Sequence, residues 1–573
     1  MKVLILGGYG TFGGRLAQLL ASDARLALLI AGRSLAKARA FVETHASPRA
    51  SLVPIELDRE APLDETLRRL SPDVVVDASG PFQSYGTSAY AVVEACVRNR
   101  MSYLDLADGT EFVAGIAALD GPAREQGVFA IAGASTLPAL SFAAVRCVSR
   151  AYGEEMVPLD IIAGIAPSPA ARVGANVVRA ILGYAGRPVS ILLGGRAAEG
   201  IALVDSARFT IAPPGNVPLR PRRFSLVDVP DARLAPASWP RLRSVWVGAA
   251  PAPAVLHAAL SVCARLVRTG LLPTLAPLSR LAHWMSVNAR WGEARGGMFV
   301  RVTGRREDGA EIERTWDLVA EGDDGPYIPA MAAAALVLRC VEGRGPAPGA
   351  RPCTHELELD DFEPFFRARR IRHGVRERRD DAPRPLYQRV LGDAWNRLPA
   401  AIRALHGEGG AREGRGEVRV ERGSGLAALA AGIARFPPAS ERATLHVSFE
   451  AGQHGERWNR RFGAHRMTSL QWAGTGAADG LLCERMGPAR IDMALVEDGG
   501  RLEFVMRGWR FLGIPMPRSL GPTLKSWEEA TRDGVRFLVE IGHPLTGMIV
   551  RYAGTHVVPV AAVRREPVQS SVM

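Results

Sequence analysis

Two patterns of apolar and polar positions alternate along the first 140 residues. Short apolar runs predict six buried strands, at 3–6, 26–31, 51–55, 73–78, 102–106 and 128–132. The stretches between them have apolar residues at helical spacing. Strands that alternate with helices form a parallel sheet with helices on both faces. The pattern therefore predicts a doubly wound α/β domain of the Rossmann type over 1–140.

The first strand leads into a cluster of glycines, where residues 7–14 read GGYGTFGG. This spacing fits both G-x-G-x-x-G and G-x-x-G-x-x-G. Between a strand and a helix, such glycines let the backbone approach a pyrophosphate, which the helix N-terminus binds. A plain glycine turn is the alternative. The predicted cofactor contacts here are Gly7, Gly8, Gly10, Thr11, Phe12 and Gly13.

The end of the second strand indicates which dinucleotide binds. NAD sites usually place an acidic residue there for the ribose hydroxyls. This chain has Arg33 and Ser34 instead, with Lys37 one helical turn further on. Arg33 can pair with a 2′-phosphate, so the pattern favours NADP(H); a solvated surface arginine is the alternative. Asp58, just past the third strand, is predicted to lie near the adenine, or else to cap the next helix.

The fourth and fifth strands carry the other candidate residues at their carboxyl ends, where cofactor and substrate meet in such sheets. The fourth strand continues into Ser79, Gly80 and Pro81. The Tyr-x-x-x-Lys pair of short-chain dehydrogenases is absent from this domain, so another group must donate a proton. Tyr85 and Asp105 are the candidates for catalysis. Asp105 could instead cap a helix or accept structural hydrogen bonds.

Residues 141–380 predict a second, α+β domain that serves as a platform for substrate or for a homodimer. Its candidate strands are 157–165, 206–212, 221–229, 243–248, 297–304 and 310–319, the last two joined as a hairpin around 307–309. The segment 250–290 is apolar and helical. It would line a substrate cleft, contact a membrane surface, or form ordinary core or dimer contacts.

A charged stretch ending in Ala382-Pro383-Arg384-Pro385 predicts a linker to a third domain over 386–560. Long alternating strands without intervening helices predict one curved antiparallel sheet or half-barrel. Its candidate strands are 416–421, 442–450, 457–470, 480–486, 490–497, 502–511, 534–541 and 547–553. Apolar residues between 504 and 516 would line a pocket for an acyl chain or pack as core.

Composition narrows the class of protein. The formal net charge is +12 over 573 residues, but the chain has only three lysines and its arginines are mixed with acidic residues, so we expect no nucleic-acid partner. The six cysteines form no C-x-x-C pair, which predicts free thiols and no metal site. No apolar run reaches 18 residues and the N-terminus enters a strand at once. These features predict a cytoplasmic protein without a transmembrane segment.

The motifs together resemble a known family. GGYGTFGG, AGRS at 31–34, GPFQSYG at 80–86, EAC at 94–96 and YLDLADGTEF at 103–112 are similar to the saccharopine dehydrogenase-like reductases, in particular the branch that includes trans-acting enoyl reductases. The resemblance is continuous over about 1–145 and weaker to about 380. The third domain resembles an uncharacterised domain fused behind such NADP-binding domains.

The resemblance implies roles for particular residues. Ser79, Gly80 and Pro81 would pass near the nicotinamide ribose, and Tyr85 and Asp105 match motif residues bordering the active site. Residues 133–138 depart from the glycine-rich turn of the relatives, and no amino-acid-binding constellation is evident, which weighs against a saccharopine-type reaction.

Two functional hypotheses follow. The first is an NADP(H)-dependent oxidoreductase that transfers a hydride to or from a carbonyl, imine or polarised alkene of a small molecule, hydrophobic or lipid-like given the apolar second and third domains. The second is a non-catalytic, NADP-sensing scaffold whose C-terminal domain binds a lipid or a partner. Both are compatible with a homodimer and with peripheral membrane contact.

Overall fold

The computed structural model describes residues 1–45, 49–86, 89–169, 174–288, 292–379, 384–407, 413–452, 455–532 and 534–557. The described chain forms two compact units. The first comprises residues 1–208 and 222–372, and the second comprises 209–221 and the residues from 373 onward. The domain boundaries expected at 140 and 380 stay predictions.

The first unit contains fifteen of the described strands and thirteen of the described helices. The strands are β1 (Lys2–Leu6), β2 (Ala27–Gly32), β3 (Ser51–Glu56), β4 (Val74–Asp77), β5 (Ser102–Asp105), β6 (Phe129–Ala132), β7 (Met156–Ala166), β8 (Pro188–Leu193), β9 (Arg196–Ile201), β10 (Ser206–Phe209), β11 (Arg222–Leu226), β12 (Ser244–Ala249), β13 (Arg295–Arg306), β14 (Glu311–Glu321) and β15 (Gly349–Pro352). The helices are α1 (Thr11–Leu20), α2 (Leu35–Thr44), α3 (Asp64–Leu70), α4 (Ala91–Arg98), α5 (Thr110–Gly115), α6 (Asp120–Glu125), α7 (Ser141–Ser149), α8 (Ala175–Tyr184), α9 (Asp231–Ser238), α10 (Ala254–Arg268), α11 (Ser279–Asn288), α12 (Ile328–Val341) and α13 (Glu363–Arg367).

The first sheet confirms the Rossmann-type prediction. Its seven parallel strands have the order β15-β6-β5-β4-β1-β2-β3. From β1 the chain adds β2 and β3 on one side, and then crosses over to add β4, β5 and β6 on the other side. Ligands bind such sheets at the carboxyl ends of the two strands that flank this switch point, here β1 and β4. The apolar runs of β1, β2, β4, β5 and β6 are buried, since helices cover the sheet, whereas the edge strand β3 is only partly buried and leaves Val53 37% exposed. The seventh strand, β15, comes from 349–352 and pairs with β6.

The second sheet is mixed, as expected for an α+β part. Strand β7 lies parallel to β12 and antiparallel to β13. Strands β13 and β14 form the predicted hairpin, with Arg305 opposite Glu311. The β8–β9 hairpin, attached to β12, was not expected from the sequence. Helix α12 packs against α1, so the chain returns to the first sheet before it forms β15.

The second unit is built on an antiparallel sheet that closes into a barrel. Its described elements are β16 (Ile371–Arg378), α14 (Leu386–Leu391), α15 (Ala400–Leu405), β17 (Glu413–Arg422), α16 (Leu426–Ile433), β18 (Ser440–Gly452), β19 (Gly455–Phe462), β20 (His465–Ala473), β21 (Leu482–Met486), β22 (Ala489–Asp498), β23 (Arg501–Phe511), β24 (Ile514–Pro515), β25 (Thr523–Thr531), β26 (Gly534–His543) and β27 (Gly547–Val557). Ten strands follow one another in the order β22-β21-β20-β19-β18-β17-β27-β26-β25-β23, and β22 pairs with β23 to close the ring. The predicted β-rich fold is confirmed, and the sheet is closed rather than half open.

One predicted strand of this unit is wrong. The run 457–470 is two strands, β19 and β20, joined by a two-residue turn with Phe462 opposite His465. Gly463 in that turn has φ +56°, a conformation that glycine adopts readily. The alternation of apolar and polar residues continues through the turn, which is why the pattern suggested a single strand. The sequence pattern did not predict strand β25, because the charged and polar residues among its positions obscure the apolar–polar alternation of a strand.

Candidate functional site

The glycine loop joins β1 to α1 at the carboxyl edge of the first sheet. Gly10 is the N-cap of α1, and no side chain caps the first turn, which Thr11 and Phe12 begin. The first N–H groups of the helix are therefore available to an anion. Gly7 has φ +71°, and a Cβ added to Gly13 would lie 2.3 Å from the Gly7 carbonyl oxygen. This close, uncapped backbone cradle fits a pyrophosphate.

Tyr9 connects the glycine loop to the end of β2. Its ring packs on Gly32, where an added Cβ would lie 2.5 Å from the ring. Its hydroxyl accepts a hydrogen bond from the Ser34 backbone N–H at 3.1 Å. The Gly8 N–H donates to the Ala31 carbonyl at 2.9 Å, which fixes the loop to the same strand. No motif pointed to Tyr9, since the glycine motif leaves that position variable.

The cationic residues that follow β2 are open to solvent. Arg33 is exposed and has no ion-pair partner among the residues that the structure describes. Ser34 caps α2, and its Oγ accepts a hydrogen bond from the Lys37 N–H at 3.4 Å. Asp58 is exposed, and its Oδ1 accepts from the Glu60 N–H at 3.2 Å, so it stabilises a turn rather than the following helix. These groups are free to meet the adenosine half of a dinucleotide.

Four side chains form one network at the end of β4. Asp77 is fully buried, and its Oδ1 accepts hydrogen bonds from the backbone N–H of Ser79 at 2.9 Å and from the Ser79 hydroxyl. Ser79 Oγ lies 3.1 Å from the hydroxyl oxygen of Tyr85. The Arg59 guanidinium lies 3.4 Å from the Tyr85 ring centre, and its Nη2 is 3.7 Å from Asp77 Oδ2. The segment Gly80-Pro81, which has a cis peptide bond, connects Ser79 to this tyrosine's turn.

The surroundings of Tyr85 keep its hydroxyl protonated. Burial raises the pKa of Tyr85 well above its ordinary value, and the negative charge of Asp77 raises it further, while Ser79 and Arg59 lower it in part. The hydroxyl therefore holds its proton at neutral pH. The sequence indicated Ser79 and Tyr85 but neither Asp77 nor Arg59; the available signal was a carboxylate ending an otherwise apolar strand.

Asp105 is fully buried at the end of β5, beside this network. Its Oδ1 accepts hydrogen bonds from the backbone N–H groups of Ala107 at 2.9 Å and Gly133 at 2.7 Å. Burial raises the pKa of Asp105 to about 7, with the two N–H donors opposing and Asp77 adding to the rise. The carboxyl group ties the end of β5 to the end of β6. These contacts are those of a structural acceptor, and a catalytic role stays a prediction.

The raised pKa of Asp105 predicts a measurable dependence of stability on pH. The folded state holds the proton up to about pH 7, whereas the unfolded chain releases it near pH 3.8. Stability from this group is therefore lost as the pH rises between those values, on the order of 3 kcal/mol between pH 5 and pH 8. Asp105→Asn should flatten this part of the dependence, measured as the free energy of unfolding in urea at both pH values.

Asp64 provides the matched control for this experiment. Its exposed ion pair with Arg98 lowers its pKa, so it is already ionised throughout this pH range. Asp64→Asn should leave the slope of stability against pH unchanged. Parallel curves for the wild type and Asp105→Asn would contradict the raised pKa.

A second polar group borders the end of β5. Asp108 accepts a hydrogen bond from Gln83 Nε2 at 2.9 Å. Asp228 accepts from the Thr110 hydroxyl at 2.7 Å. Burial, with the charges of Asp108 and Asp228, raises the pKa of Tyr184 far above its ordinary value. The sequence did not reveal this group, because its members are spread over 145 residues, from Gln83 to Asp228.

The interior of the barrel combines apolar walls with paired charges. It encloses a cavity of about 80 Å³. Arg460 Nη2 lies 2.9 Å from Glu484 Oε1, and although burial raises the pKa of Glu484, this guanidinium keeps it below its ordinary value. His406 Nε2 lies 2.7 Å from Glu528 Oε2. The charges of Arg460 and Glu484 offset each other inside the barrel.

The acyl-chain pocket expected between 504 and 516 is not formed. Phe504 lies in the barrel wall, whereas Phe511, Leu512 and Ile514 are 44 to 72% exposed. The β23–β24 turn carries these residues out of the barrel.

The described residues contain neither a candidate metal-binding cluster nor a disulfide bond. No group of three or more His, Cys, Asp or Glu side chains among them is placed to hold a metal ion. All six cysteines are free thiols. None of the helices described is long and apolar enough to cross a membrane.

Comparison with known families identifies two parts of the chain. Residues 3–131 match the family model described as saccharopine dehydrogenase NADP binding domain. Residues 398–555 match a domain of unknown function, DUF4166. No curated protein matches the chain. The N-terminal resemblance expected from the motifs, and the separate nature of the C-terminal part, are confirmed.

Several solved structures are similar to part of the chain. Saccharopine dehydrogenase (L-Glu forming) from Saccharomyces cerevisiae is 12% identical and has a TM-score of 0.47, covering 66% of this chain and 99% of that one. Myo-inositol dehydrogenase from Lactobacillus casei, in complex with NAD(H) and myo-inositol, is 11% identical with a TM-score of 0.28, covering 68% and 99%. GenD2 from gentamicin A biosynthesis, in complex with NAD, is 14% identical with a TM-score of 0.27, covering 55% and 71%. Such low identities and TM-scores transfer no substrate and no residue role.

Proposed function

We propose that this chain, an oxidoreductase with a saccharopine dehydrogenase-type NADP-binding domain, uses NADP(H) to reduce or oxidise a carbonyl, imine or polarised alkene of a small hydrophobic molecule. One observation carries the proposal: an uncapped glycine cradle after β1 adjoins a protonated tyrosine network after β4. In such sheets these two strand ends border the ligand crevice. The bound nicotinamide supplies or accepts the hydride.

The residues around the first three strands would bind the cofactor. The glycine loop from Gly7 to Gly13 binds the pyrophosphate through backbone N–H groups. Arg33 and Lys37 bind the 2′-phosphate, with the Ser34 side chain beside them, because their positive charges are unpaired in the described structure. Asp58 lies toward the adenine. Ser79, Gly80 and Pro81 pass beside the nicotinamide ribose.

Tyr85 supplies the proton in the reducing direction. As the hydride reaches one substrate atom, the Tyr85 hydroxyl donates its proton to the adjacent atom, which gains the electron pair. The tyrosinate that results is stabilised by the Arg59 guanidinium over its ring. Ser79, hydrogen-bonded to both Tyr85 and Asp77, positions the hydroxyl, and a solvent proton restores it. Asp105 is the second candidate donor, since its pKa of about 7 suits proton transfer near neutral pH.

Arg33→Glu tests the choice of cofactor. The substitution removes a charge-assisted pair with the 2′-phosphate and adds repulsion, so we expect the Kd for NADPH to rise roughly 20- to 200-fold. The Kd for NADH, which has no 2′-phosphate, should change less than about threefold, within the range of a screened surface charge. Titration of cofactor fluorescence measures both constants.

Arg39→Glu is the matched control for this substitution. Arg39 is exposed on α2, the helix that follows Arg33, and its substitution makes the same change of charge at a residue that is not a predicted cofactor contact. It should leave the ratio of the two constants near that of the wild type. Equal losses for NADPH and NADH in Arg33→Glu would exclude the 2′-phosphate assignment.

A further inference from the structure

Helix α10 has a mixed polar and apolar buried side and an apolar exposed side. Its inner side, which includes His257, Ser261 and Ala264, is buried in the first unit. Its outer side turns a continuous stripe of apolar residues to solvent, at the spacing i, i+3, i+4, i+7 and i+11: Val255, Ala258, Ala259, Val262 and Leu266. A helix on the surface of a water-soluble domain normally has charged or polar residues in these positions.

The exposed apolar surface continues beyond α10. One small buried cluster joins Ala264 of α10, Ala282 of α11 and residues of α8 to Leu275, which lies between α10 and α11. These helices therefore pack as one body. The large apolar side chains that this body leaves exposed by 36 to 73% are Val255, Val262, Leu266, Leu271, Leu278, Leu281 and Trp284. We refer to these seven residues as the α10–α11 face. Contiguous exposed apolar residues of this kind mark an interaction site.

The charges on the segment that forms the α10–α11 face are all positive. The sequence contains no Asp or Glu from 232 to 292. Arg265, Arg268 and Arg280 are exposed and have no ion-pair partner within the described ranges. An apolar face whose own helices carry exposed arginines and no carboxylates is complementary to a surface that is apolar inside and anionic outside.

We propose that the α10–α11 face binds the surface of an anionic lipid bilayer. The leucine, valine and tryptophan side chains lie at the boundary between head groups and acyl chains, and the arginines contact lipid phosphates. The chain lies on the bilayer through this face, since none of the described helices could span it. The inference goes beyond hydride transfer and does not depend on it.

A second copy of the chain fits this face less well. A twofold contact would place the same patch on both sides of the interface. Arginines would then face arginines, and the segment 232–292 has no carboxylate to pair with them. Like charges at a contact are unfavourable, whereas anionic lipids neutralise them.

Flotation of the full-length protein with lipid vesicles tests the proposal. Vesicles of phosphatidylcholine with about 30% phosphatidylglycerol should bind the protein at least about tenfold more tightly than phosphatidylcholine alone, and raising the salt to about 0.5 M should reduce this preference. Arg265→Gln combined with Arg268→Gln should weaken binding to anionic vesicles about 25-fold, from roughly fivefold for each arginine. Leu271→Glu combined with Trp284→Glu should weaken binding to both kinds of vesicle at least about tenfold.

Two matched variants serve as controls. Leu193→Glu changes a leucine that is 61% exposed on the β8–β9 hairpin, outside the face. Arg208→Gln removes an exposed arginine outside it. Both should bind vesicles as the wild type does. The Tm and the Kd for NADPH of every variant show that the chain is folded, and the arginine variants keep the test decisive if the glutamate variants do not fold.

Three results would overturn the proposal. The first is a wild-type protein that does not bind anionic vesicles at low salt. The second is vesicle binding that neither the double arginine variant nor the Leu271→Glu, Trp284→Glu variant weakens. The third is a wild-type dimer, measured by light scattering, that the face variants convert to a monomer while vesicle binding stays the same; the face would then belong to a second copy.

Discussion

Replacing Gly13 with alanine should lower the affinity for NADPH at least about a hundredfold. The added Cβ would lie 2.3 Å from the Gly7 carbonyl oxygen and 3.0 Å from Gly8 Cα. Both are backbone atoms, so the loop must move away from the start of α1. A charge-assisted hydrogen bond contributes about 1.5 to 3 kcal/mol, and displacing two backbone donors from the phosphates gives a loss of this size. Fluorescence titration with NADPH measures it.

The same substitution should cost about 1 to 3 kcal/mol of folding stability, as overpacking typically does. Urea unfolding therefore accompanies the titration. Gly183→Ala is the control, because Gly183 lies in α8 with no atom within 4 Å of an added Cβ. It should bind NADPH as the wild type does and be as stable or slightly more stable. Unchanged affinity in Gly13→Ala would mean that the glycine loop does not bind the cofactor phosphates.

Tyr85→Phe should reduce kcat by about 10² to 10⁴, the usual contribution of general acid catalysis, while the Kd for NADPH stays within about twofold. The substitution removes only the hydroxyl that lies 3.1 Å from Ser79 Oγ. The ring remains packed against Phe82, whose centroid is 5.1 Å away, and beneath Arg59. Steady-state rates of NADPH oxidation, with carbonyl, imine and enoyl compounds as substrates, provide the measurement.

Tyr90→Phe is the matched control in the same aromatic cluster. Its hydroxyl donates to the Phe112 carbonyl at 2.7 Å and its ring stacks on Phe112 with centroids 4.9 Å apart. Its loss should cost about 0.5 to 1.5 kcal/mol of stability and leave kcat within about threefold. Full turnover by Tyr85→Phe would remove Tyr85 from the proton-transfer step and leave Asp105 as the candidate. Tight NADPH binding with no turnover by the wild type would favour the sensing scaffold.

The sequence predicted those parts of the fold that depend on short stretches of chain. Strands β1, β2, β4, β5 and β6 are built on short, largely apolar runs, so their buried state is readable from a few consecutive positions. The glycine loop was equally readable, because a strand, a tight turn and a helix start follow one another within 20 residues. The prediction of a single strand over 457–470 was wrong for the same local reason. Alternation of apolar and polar residues shows which side chains of a strand are buried, but here it continues unchanged through a two-residue turn.

The candidate site was only partly predictable. Ser79, Tyr85 and Asp105 follow strands and could be placed at the sheet edge. Arg59 could not, because it comes from the loop after β3 and reaches Tyr85 only when β3 and β4 are assembled on either side of β1 and β2. The raised pKa of Asp105 likewise depends on burial beneath the turn at Gly133, which no local pattern reveals.

The sequence by itself determined the order of the elements from β1 to β6, the nucleotide-binding loop and the β-rich character of the C-terminal part. Only the tertiary structure decided that β15 completes the first sheet, that β22 pairs with β23 to close the barrel, and which side of α10 faces solvent. The physical reason is the range of the interactions. Backbone propensity and apolar periodicity act over a few neighbouring residues, whereas strand pairing and the covering of a helix depend on segments far apart in the chain. The apolar residues of α10 are spread around the helix, so they do not show which of its faces those segments will cover.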